Sequence, residues 1–180
     1  TGTKAQAPIG NSTTAFTGTF DGQGHTVSGI DLSGGSMIGF FGKVQGATIR
    51  NLTVKGNVKG TAAAVGGLIG YGIVPLTIEN CVNRIHVSGK DRSAGFVGSV
   101  DLTKANSSLI VRNCKNYGEI SSPAGVHIGG FFGRLYKTGN SPLEITDCAN
   151  YGKVLGRYMA GGLVGRYESG KASTVGETVI

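Results

Sequence analysis

The amino-acid sequence predicts an all-β fold: a right-handed parallel β-helix, or β-solenoid, of about five to six coils with three short strands per coil. Three observations support this prediction. A sequence unit recurs at spacings of 28 to 35 residues, glycine supplies 33 of the 180 residues, and the apolar residues come in short pieces separated by Gly and Asn. With only 4 prolines, the chain resembles neither collagen nor a disordered Pro/Gly tract.

The recurring unit is visible as segments that align without a gap. They read ATIRNLTVKGNVKG from Ala47, LTIENCVNRIHVSG from Leu76, LIVRNCKNYGEISS from Leu109 and LEITDCANYGKVLG from Leu143. A shorter first copy starts at His25. Since one coil cannot bury its own apolar face, such copies are expected to stack on one another.

A second signature follows each copy and consists of two apolar residues between two glycines. It begins at Gly39, Gly67, Gly95, Gly130 and Gly162. We expect these glycines to allow turns with positive φ and a close approach of the next rung. The length variation between copies falls in the polar stretches 101–108 and 137–141, which predicts loops there.

Stacking at about 4.8 Å per rung places equivalent residues above one another in columns. One column is predicted to point into the core and contains Leu52, Cys81, Cys114 and Cys148. A neighbouring turn column contains Asn51, Asn80, Asn113 and Asp147. Side-chain amides at this spacing can hydrogen-bond along the column and hold the turn in register.

Length and composition predict a single β-helix domain over residues 1–180, which we expect to be a fragment of a longer extracellular protein. The copies lie near 25–46, 47–75, 76–108, 109–142 and 143–173. No apolar run is long enough to cross a bilayer. The net charge of +7 comes from scattered Lys and Arg, and Trp is absent, so a solvated basic surface is expected instead of a nucleic-acid site.

The chain resembles the GLUG-repeat family at Gly67-Leu68-Ile69-Gly70 and at Gly162-Leu163-Val164-Gly165. The match spans roughly residues 8–168, with a departure at Ile85 where other copies carry Gly118 or Gly152. The resemblance implies a secreted or surface-anchored bacterial protein, either an adhesin or the non-catalytic part of an IgA-specific zinc metallopeptidase. The family supplies no catalytic residues to carry over.

The residues that could carry chemistry do not converge in the aligned copies. The carboxylates and the three histidines mostly fall in different columns, and Glu119 over Lys153 predicts a weak cross-rung ion pair. The cysteines lack metal-ligand spacing and are expected to be free, buried thiols. The sequence therefore predicts a protein that is not an enzyme and has no metal site and no cofactor.

Two outer strips are the candidate binding sites. The first contains Tyr117 and Tyr151 beside Asn116 and Asn150, with Arg84 and Lys55 in the same column of earlier rungs. Tyr rings could stack on sugars while Asn and Arg give directional hydrogen bonds; the alternative is an ordinary turn column in which each Tyr packs on its neighbour. The second strip contains Tyr71, Arg134 with Tyr136, and Arg166 with Tyr167.

These features favour an adhesin-like protein that is secreted or attached to a bacterial cell surface. It would bind an extracellular glycan or a host protein, or serve as a rigid stalk, without nucleic acid or membrane insertion. One alternative is an accessory, non-catalytic domain of a surface peptidase or polysaccharide-processing enzyme. Another is a filament subunit that associates end to end through 175–180.

Overall fold

The computed structural model describes residues 6–170 and 178–179. These residues form a parallel β-solenoid of about five turns and contain no helix. Their strands make two sheets of nine strands each, and every strand pair is parallel. The all-β solenoid predicted from the repeat is therefore confirmed.

The two sheets alternate along the chain, since each coil crosses the first sheet and then the second. The first sheet contains β1 (Phe16–Asp21), β3 (Phe41–Arg50), β6 (Ile69–Glu79), β9 (Val97–Leu102), β10 (Leu109–Arg112), β13 (Phe132–Lys137), β14 (Leu143–Thr146), β17 (Val164–Ser169) and β18 (Thr178–Val179). The second sheet contains β2 (Thr26–Gly34), β4 (Thr53–Gly60), β5 (Ala63–Gly66), β7 (Val82–Ser88), β8 (Asp91–Ala94), β11 (Lys115–Asn116), β12 (Ile120–Gly129), β15 (Ala149–Asn150) and β16 (Val154–Gly161).

The number of strands per coil depends on the length of the copy. The coils β3–β5 and β6–β8 have the expected three strands. The next two coils have four, because loops at 103–108 and 138–142 divide the strand of the first sheet. Both loops fall in the polar stretches where the sequence predicted them.

Inward-facing residues form continuous apolar columns. Leu76 pairs in register with Ala47 on one side and Leu109 on the other, and all three are buried. The apolar residues of the glycine signature add a second part of the core, where the rings of Phe96 and Phe131 stack with centroids 4.5 Å apart. The core therefore runs the length of the solenoid without a break between coils.

The signature glycines have a different role from the one expected at turns. None of the pairs beginning at Gly39, Gly67, Gly95, Gly130 and Gly162 has a positive φ. Instead, a Cβ on Gly67 would lie 2.4 Å from the carbonyl oxygen of Gly95, and a Cβ on Gly95 would lie 2.5 Å from that of Gly130. The expected positive φ was wrong, whereas close approach between rungs accounts for Gly39, Gly67, Gly95 and Gly130; a Cβ on Gly162 would meet open space.

Two columns of left-handed turns consist of residues other than glycine. One such column contains Asn51, Asn80, Asn113 and Asp147, with φ between 48° and 53°. A second contains Met37, Ala64, Arg92, His127 and Met159, with φ between 49° and 63°. Asn and Asp tolerate this conformation well because their short polar side chains can hydrogen-bond locally.

Candidate functional site

The first predicted strip lies on the outer face of the second sheet as one column, here called the tyrosine column: Lys55, Arg84, Tyr117 and Tyr151. Lys55 pairs in register with Arg84, and the Arg84 guanidinium carbon lies 4.4 Å from the centroid of the Tyr117 ring. The rings of Tyr117 and Tyr151 are 4.9 Å apart and within 14° of parallel. The exposed fraction is 39% for Tyr117 and 63% for Tyr151.

This geometry contradicts the expectation that the Tyr117 ring stacks on a sugar. One of its faces is covered by Arg84 and the other by Tyr151. A ligand could reach only the edge of Tyr117 and its hydroxyl group, or the far face of Tyr151. The contacts along the column stabilise neighbouring rungs instead, through ring stacking and a cation–π interaction.

Asn116 and Asn150 lie inside the solenoid and not beside the tyrosines on its surface. Asn116 is fully buried, and its amide Nδ2 donates to Asn150 Oδ1 at 2.7 Å, while its Oδ1 accepts from Asn83 Nδ2 at 2.7 Å. Each amide also bonds the backbone two residues ahead, as Asn116 does with Gly118. Burial therefore contradicts a direct ligand-binding role for Asn116, whereas Asn150 is partly buried and its amide is engaged by Asn116 and Gly152.

We call Asn83, Asn116 and Asn150 the inner asparagine ladder. It packs on the signature glycines, since a Cβ added to Gly95 would lie 2.5 Å from Asn116 Oδ1. Strand alternation could have revealed it: Cys114 and Asn116 are two residues apart, so they share a face, and Cys114 was expected to point inward. An inward Cys114 therefore implies an inward Asn116, which is the signal in the sequence for the inner asparagine ladder.

The predicted turn column forms a second ladder on the surface, the outer asparagine ladder. Asn113 Nδ2 donates to Asn80 Oδ1 at 2.8 Å, and Asn80 Nδ2 donates to Asn51 Oδ1 at 3.1 Å. Asn51 in turn donates to Asp21 in the first rung at 3.0 Å. Asp147 occupies the fourth turn with φ of 53°.

The predicted core column points into the solenoid. Leu52, Cys81 and Cys114 are buried, and Cys148 is half-buried in the last complete rung. All three thiols are free, and each donates to the carbonyl oxygen two residues before it, as Cys114 Sγ does to Arg112 at 3.2 Å. Hydrogen bonding with the sulfurs of Cys148 and Cys81, together with burial, raises the pKa of the Cys114 thiol.

The second predicted strip is a charged network on the first sheet. The Tyr71 hydroxyl group donates to Asp101, which lies 3.8 Å from Arg134. Arg134 makes two hydrogen bonds to Glu168, at 3.0 and 3.2 Å, and its guanidinium lies 4.8 Å from the centroid of the Tyr136 ring. Burial and the bond to Asp101 raise the pKa of Tyr71 to about 12, and the Arg134 hydrogen bonds lower the pKa of Glu168.

Arg166 links this network to the corner of the solenoid. It pairs with Glu168 at 2.6 Å and lies 3.0 Å from His127 Nε2, while His127 Nδ1 lies 2.9 Å from Asp91. Both ring nitrogens of His127 are therefore engaged. Most polar side chains of the second strip therefore contact neighbouring rungs, as those of the first strip do.

Tyr167 is not part of that strip. It pairs in register with the fully buried Leu135 and so continues that column into β17, where it is nevertheless 47% exposed. Strand alternation places it on the face opposite Arg166. Tyr167 therefore does not lie beside Arg166, although it is accessible to solvent.

One outer region of the second sheet lacks such pairing. An open groove of about 440 Å³, here called the outer groove, runs across four rungs beside the tyrosine column. Its polar side chains belong to Asp31, Asn57, Lys59, His86, Ser88, Glu119 and Ser121. The expected ion pair between Glu119 and Lys153 does not form.

A larger cleft of about 690 Å³ lies between the two loops at 103–108 and 138–142. Its lining consists of small hydroxyl and amide side chains, with Ala105, Gly139 and Pro142, and includes no titratable side chain. Beneath it, the buried Lys137 donates to the carbonyl oxygen of Gly139 at 3.0 Å. The lining of the cleft therefore offers no charged group for recognition, whereas the lining of the outer groove includes Asp31, Lys59 and Glu119.

Across residues 6–170, no group of three or more His, Cys, Asp or Glu residues is placed to hold a metal ion. The same part of the chain has no helix that could span a membrane. The tail predicted to pair with another chain, 175–180, falls mostly outside the described residues. Within it, β18 pairs with β14 of the same chain.

Comparison with curated proteins finds similarity to halomucin from Haloquadratum walsbyi. The two are 39% identical over 102 residues, which cover 52% of this chain and 1% of halomucin. The chain thus spans a very small part of the length of this relative. No protein-family model matches the chain, and no solved structure matches it.

Proposed function

We propose that the chain is a rigid structural segment of a secreted or cell-surface protein. The observation that supports this most directly is the pairing of side chains from rung to rung on both outer faces. The tyrosine column, the outer asparagine ladder and the network around Arg134 all join successive coils. In a solenoid each coil contacts only its neighbours, so such contacts determine how well the rod resists deformation.

The similarity to a short stretch of halomucin is compatible with this role, as is the resemblance to the GLUG-repeat family. A segment that matches 1% of a relative fits a repeat region within a much longer chain. The proposal includes no catalytic role for the segment. His127, the most enclosed of the three histidines, has both ring nitrogens engaged by Asp91 and Arg166.

Single-molecule pulling between handles at the two ends tests the structural role. We expect resistance followed by stepwise unfolding, with increments of about 100 Å for a copy of 28 residues. Asn116→Ala should lower the unfolding force because it removes the centre of the inner asparagine ladder. Lys115→Ala, at the exposed neighbouring position, is the matched control and should leave the force unchanged.

Smooth extension at low force, without steps, would show that the segment is a flexible linker and would refute the proposal. Equal forces for the two variants would show that the ladder does not carry the load. Ligand binding is a second candidate function, favoured by the unpaired polar side chains of the outer groove.

A further inference from the structure

We propose that the outer groove binds a neutral polysaccharide chain laid along the axis of the solenoid. The groove crosses the rungs of β2, β4, β7 and β12, with Asp31, Asn57, His86 and Glu119 along one side. Lys59, Ser88 and Ser121 lie along the other side, and the floor is formed at Val58 and Val87. This role is additional to the structural one and does not depend on it.

The side chains of the groove differ from most of those in the other outer columns because none of them has a side-chain partner among the described residues. The carboxylates of Asp31 and Glu119, the amide of Asn57 and the ammonium group of Lys59 have no side-chain partner among the described residues. The backbone N–H of Asp31 donates to the side-chain oxygen of Gln6, and this bond does not involve the Asp31 carboxylate. On a surface where most polar groups join neighbouring rungs, this column is open to a ligand.

His86 has a defined hydrogen-bonding role in the groove. Its Nδ1 accepts the backbone N–H of Glu119 at 3.4 Å, which places the proton of the neutral ring on Nε2. The free Nε2–H is then a donor on the exposed side of the ring. The groove thus offers donors from His86, Asn57 and Lys59, and acceptors from the two carboxylates, as sugar hydroxyl groups require.

The repeat distance of the groove favours a polysaccharide over other polymers. Equivalent side chains recur at the rung spacing of about 4.8 Å, close to the length of one sugar ring in an extended chain. Side chains on one face of an extended peptide recur at about 6.7 Å, and stacked nucleotides at about 3.4 Å. A sugar polymer can therefore place about one ring beside each rung, whereas the side chains of a peptide and the bases of a stacked strand fall out of step with the rungs.

The charges of the groove favour a neutral chain. Asp31 and Glu119 lie at opposite ends of one side, and Lys59 is the single fixed positive charge in the lining. The two carboxylates would repel a polyanion such as a uronate polymer or an RNA strand. Carboxylates, amides and imidazoles instead accept and donate hydrogen bonds to uncharged hydroxyl groups.

Titration of the isotopically labelled chain, followed by amide NMR signals, tests the proposal. The probes are cellohexaose, maltohexaose, mannohexaose and chitohexaose, with hexagalacturonate and hexauridylate as anionic comparisons. We expect saturable shifts at Asn57, His86 and Glu119 with at least one neutral hexasaccharide and weaker binding of both anions. Absence of saturable shifts with all four neutral probes overturns the proposal, and so does preferential binding of either anion.

Matched variants locate the site. His86→Ala and Asn57→Ala should each weaken binding of the responding hexasaccharide about tenfold, because each removes a hydrogen bond in the groove. His25→Ala is the control, since His25 is exposed and lies outside the groove. Circular dichroism verifies that the variants fold. Unchanged affinity in both groove variants, or equal loss in the control, refutes the assignment to the outer groove.

Discussion

Replacement of Asn116 by alanine should destabilise the solenoid more than any single change in the outer asparagine ladder. The buried amide makes four hydrogen bonds: at 2.7 Å to Asn83 and to Asn150, and at 3.0 and 3.2 Å to Gly118. At a net contribution of about 1 kcal/mol each, their loss costs about 4 kcal/mol. Asn83 and Gly118 stay buried and lose bonds that water cannot replace, which makes the loss harder to offset.

Asn113→Ala is the matched control, because it makes the same chemical change three residues away in the same rung. Asn113 is exposed and donates one side-chain hydrogen bond, to Asn80 at 2.8 Å. Its φ of 48° adds a cost for alanine in the left-handed region, so the total should be about 2 kcal/mol. The two variants should therefore differ by about 2 kcal/mol.

The free energy of unfolding of both variants and of the unmodified chain can be measured by guanidinium titration, with far-UV circular dichroism as the signal. We expect the midpoint to fall further for Asn116→Ala than for Asn113→Ala, with similar slopes. If Asn113→Ala is as destabilising as Asn116→Ala, the inner ladder is not a main source of stability. The argument from its buried hydrogen bonds would then be refuted.

Three further predictions concern other parts of the solenoid. Tyr117→Ala should lower the free energy of unfolding by about 2 kcal/mol through lost ring and guanidinium contacts, whereas Tyr117→Phe should cost less than about 0.5 kcal/mol; equal costs in the same titration would contradict the stacking argument. Gly118→Ala should cost about 3 kcal/mol or more, because its Cβ would lie 1.9 Å from a backbone oxygen of the preceding rung. Gly35→Ala, where a Cβ meets open space, should be neutral, and a comparable loss there would be evidence against the steric explanation. In an absorbance titration, Tyr71 should ionise near pH 12, and Tyr71→Phe should abolish that step. Since the raised pKa favours the protonated phenol in the folded state, the contribution of Tyr71 to stability is complete below its ordinary pKa of 10.0 and lost as the pH rises toward about 12.

The fold could be predicted because residues that align between copies of the repeat are the same residues that pair between adjacent strands. Leu76, Leu109 and Leu143 align in the sequence, and the same residues pair in adjacent strands. The loops could be predicted for the same reason, since only residues outside the repeated columns can vary in number without disturbing the stacked strands. In a solenoid, the position of a residue within the repeat therefore predicts which residues of the neighbouring coils lie above and below it.

Whether a polar side chain points into the core or to the surface could not be predicted from its position in the repeat alone. Asn116 and Tyr117 are neighbours in the sequence, and a polar residue next to an exposed ring suggested a shared surface. In a strand, neighbours point to opposite faces, so Tyr117 is exposed and Asn116 is fully buried. A buried asparagine is stable here because its equivalents in adjacent rungs supply the hydrogen bonds that water would otherwise make.

The availability of outer side chains also depends on contacts that alignment does not show. Glu119 and Lys153 occupy equivalent positions in successive rungs but form no ion pair. Arg134 and Glu168 lie in different columns, yet they form a two-fold hydrogen-bonded pair across the diagonal between rungs. Some side chains look distinctive in the repeat but make all their contacts within the solenoid, as Tyr117 and Arg134 do. On such a surface, the side chains that remain for a ligand are those without side-chain partners, and several of them lie together in the outer groove.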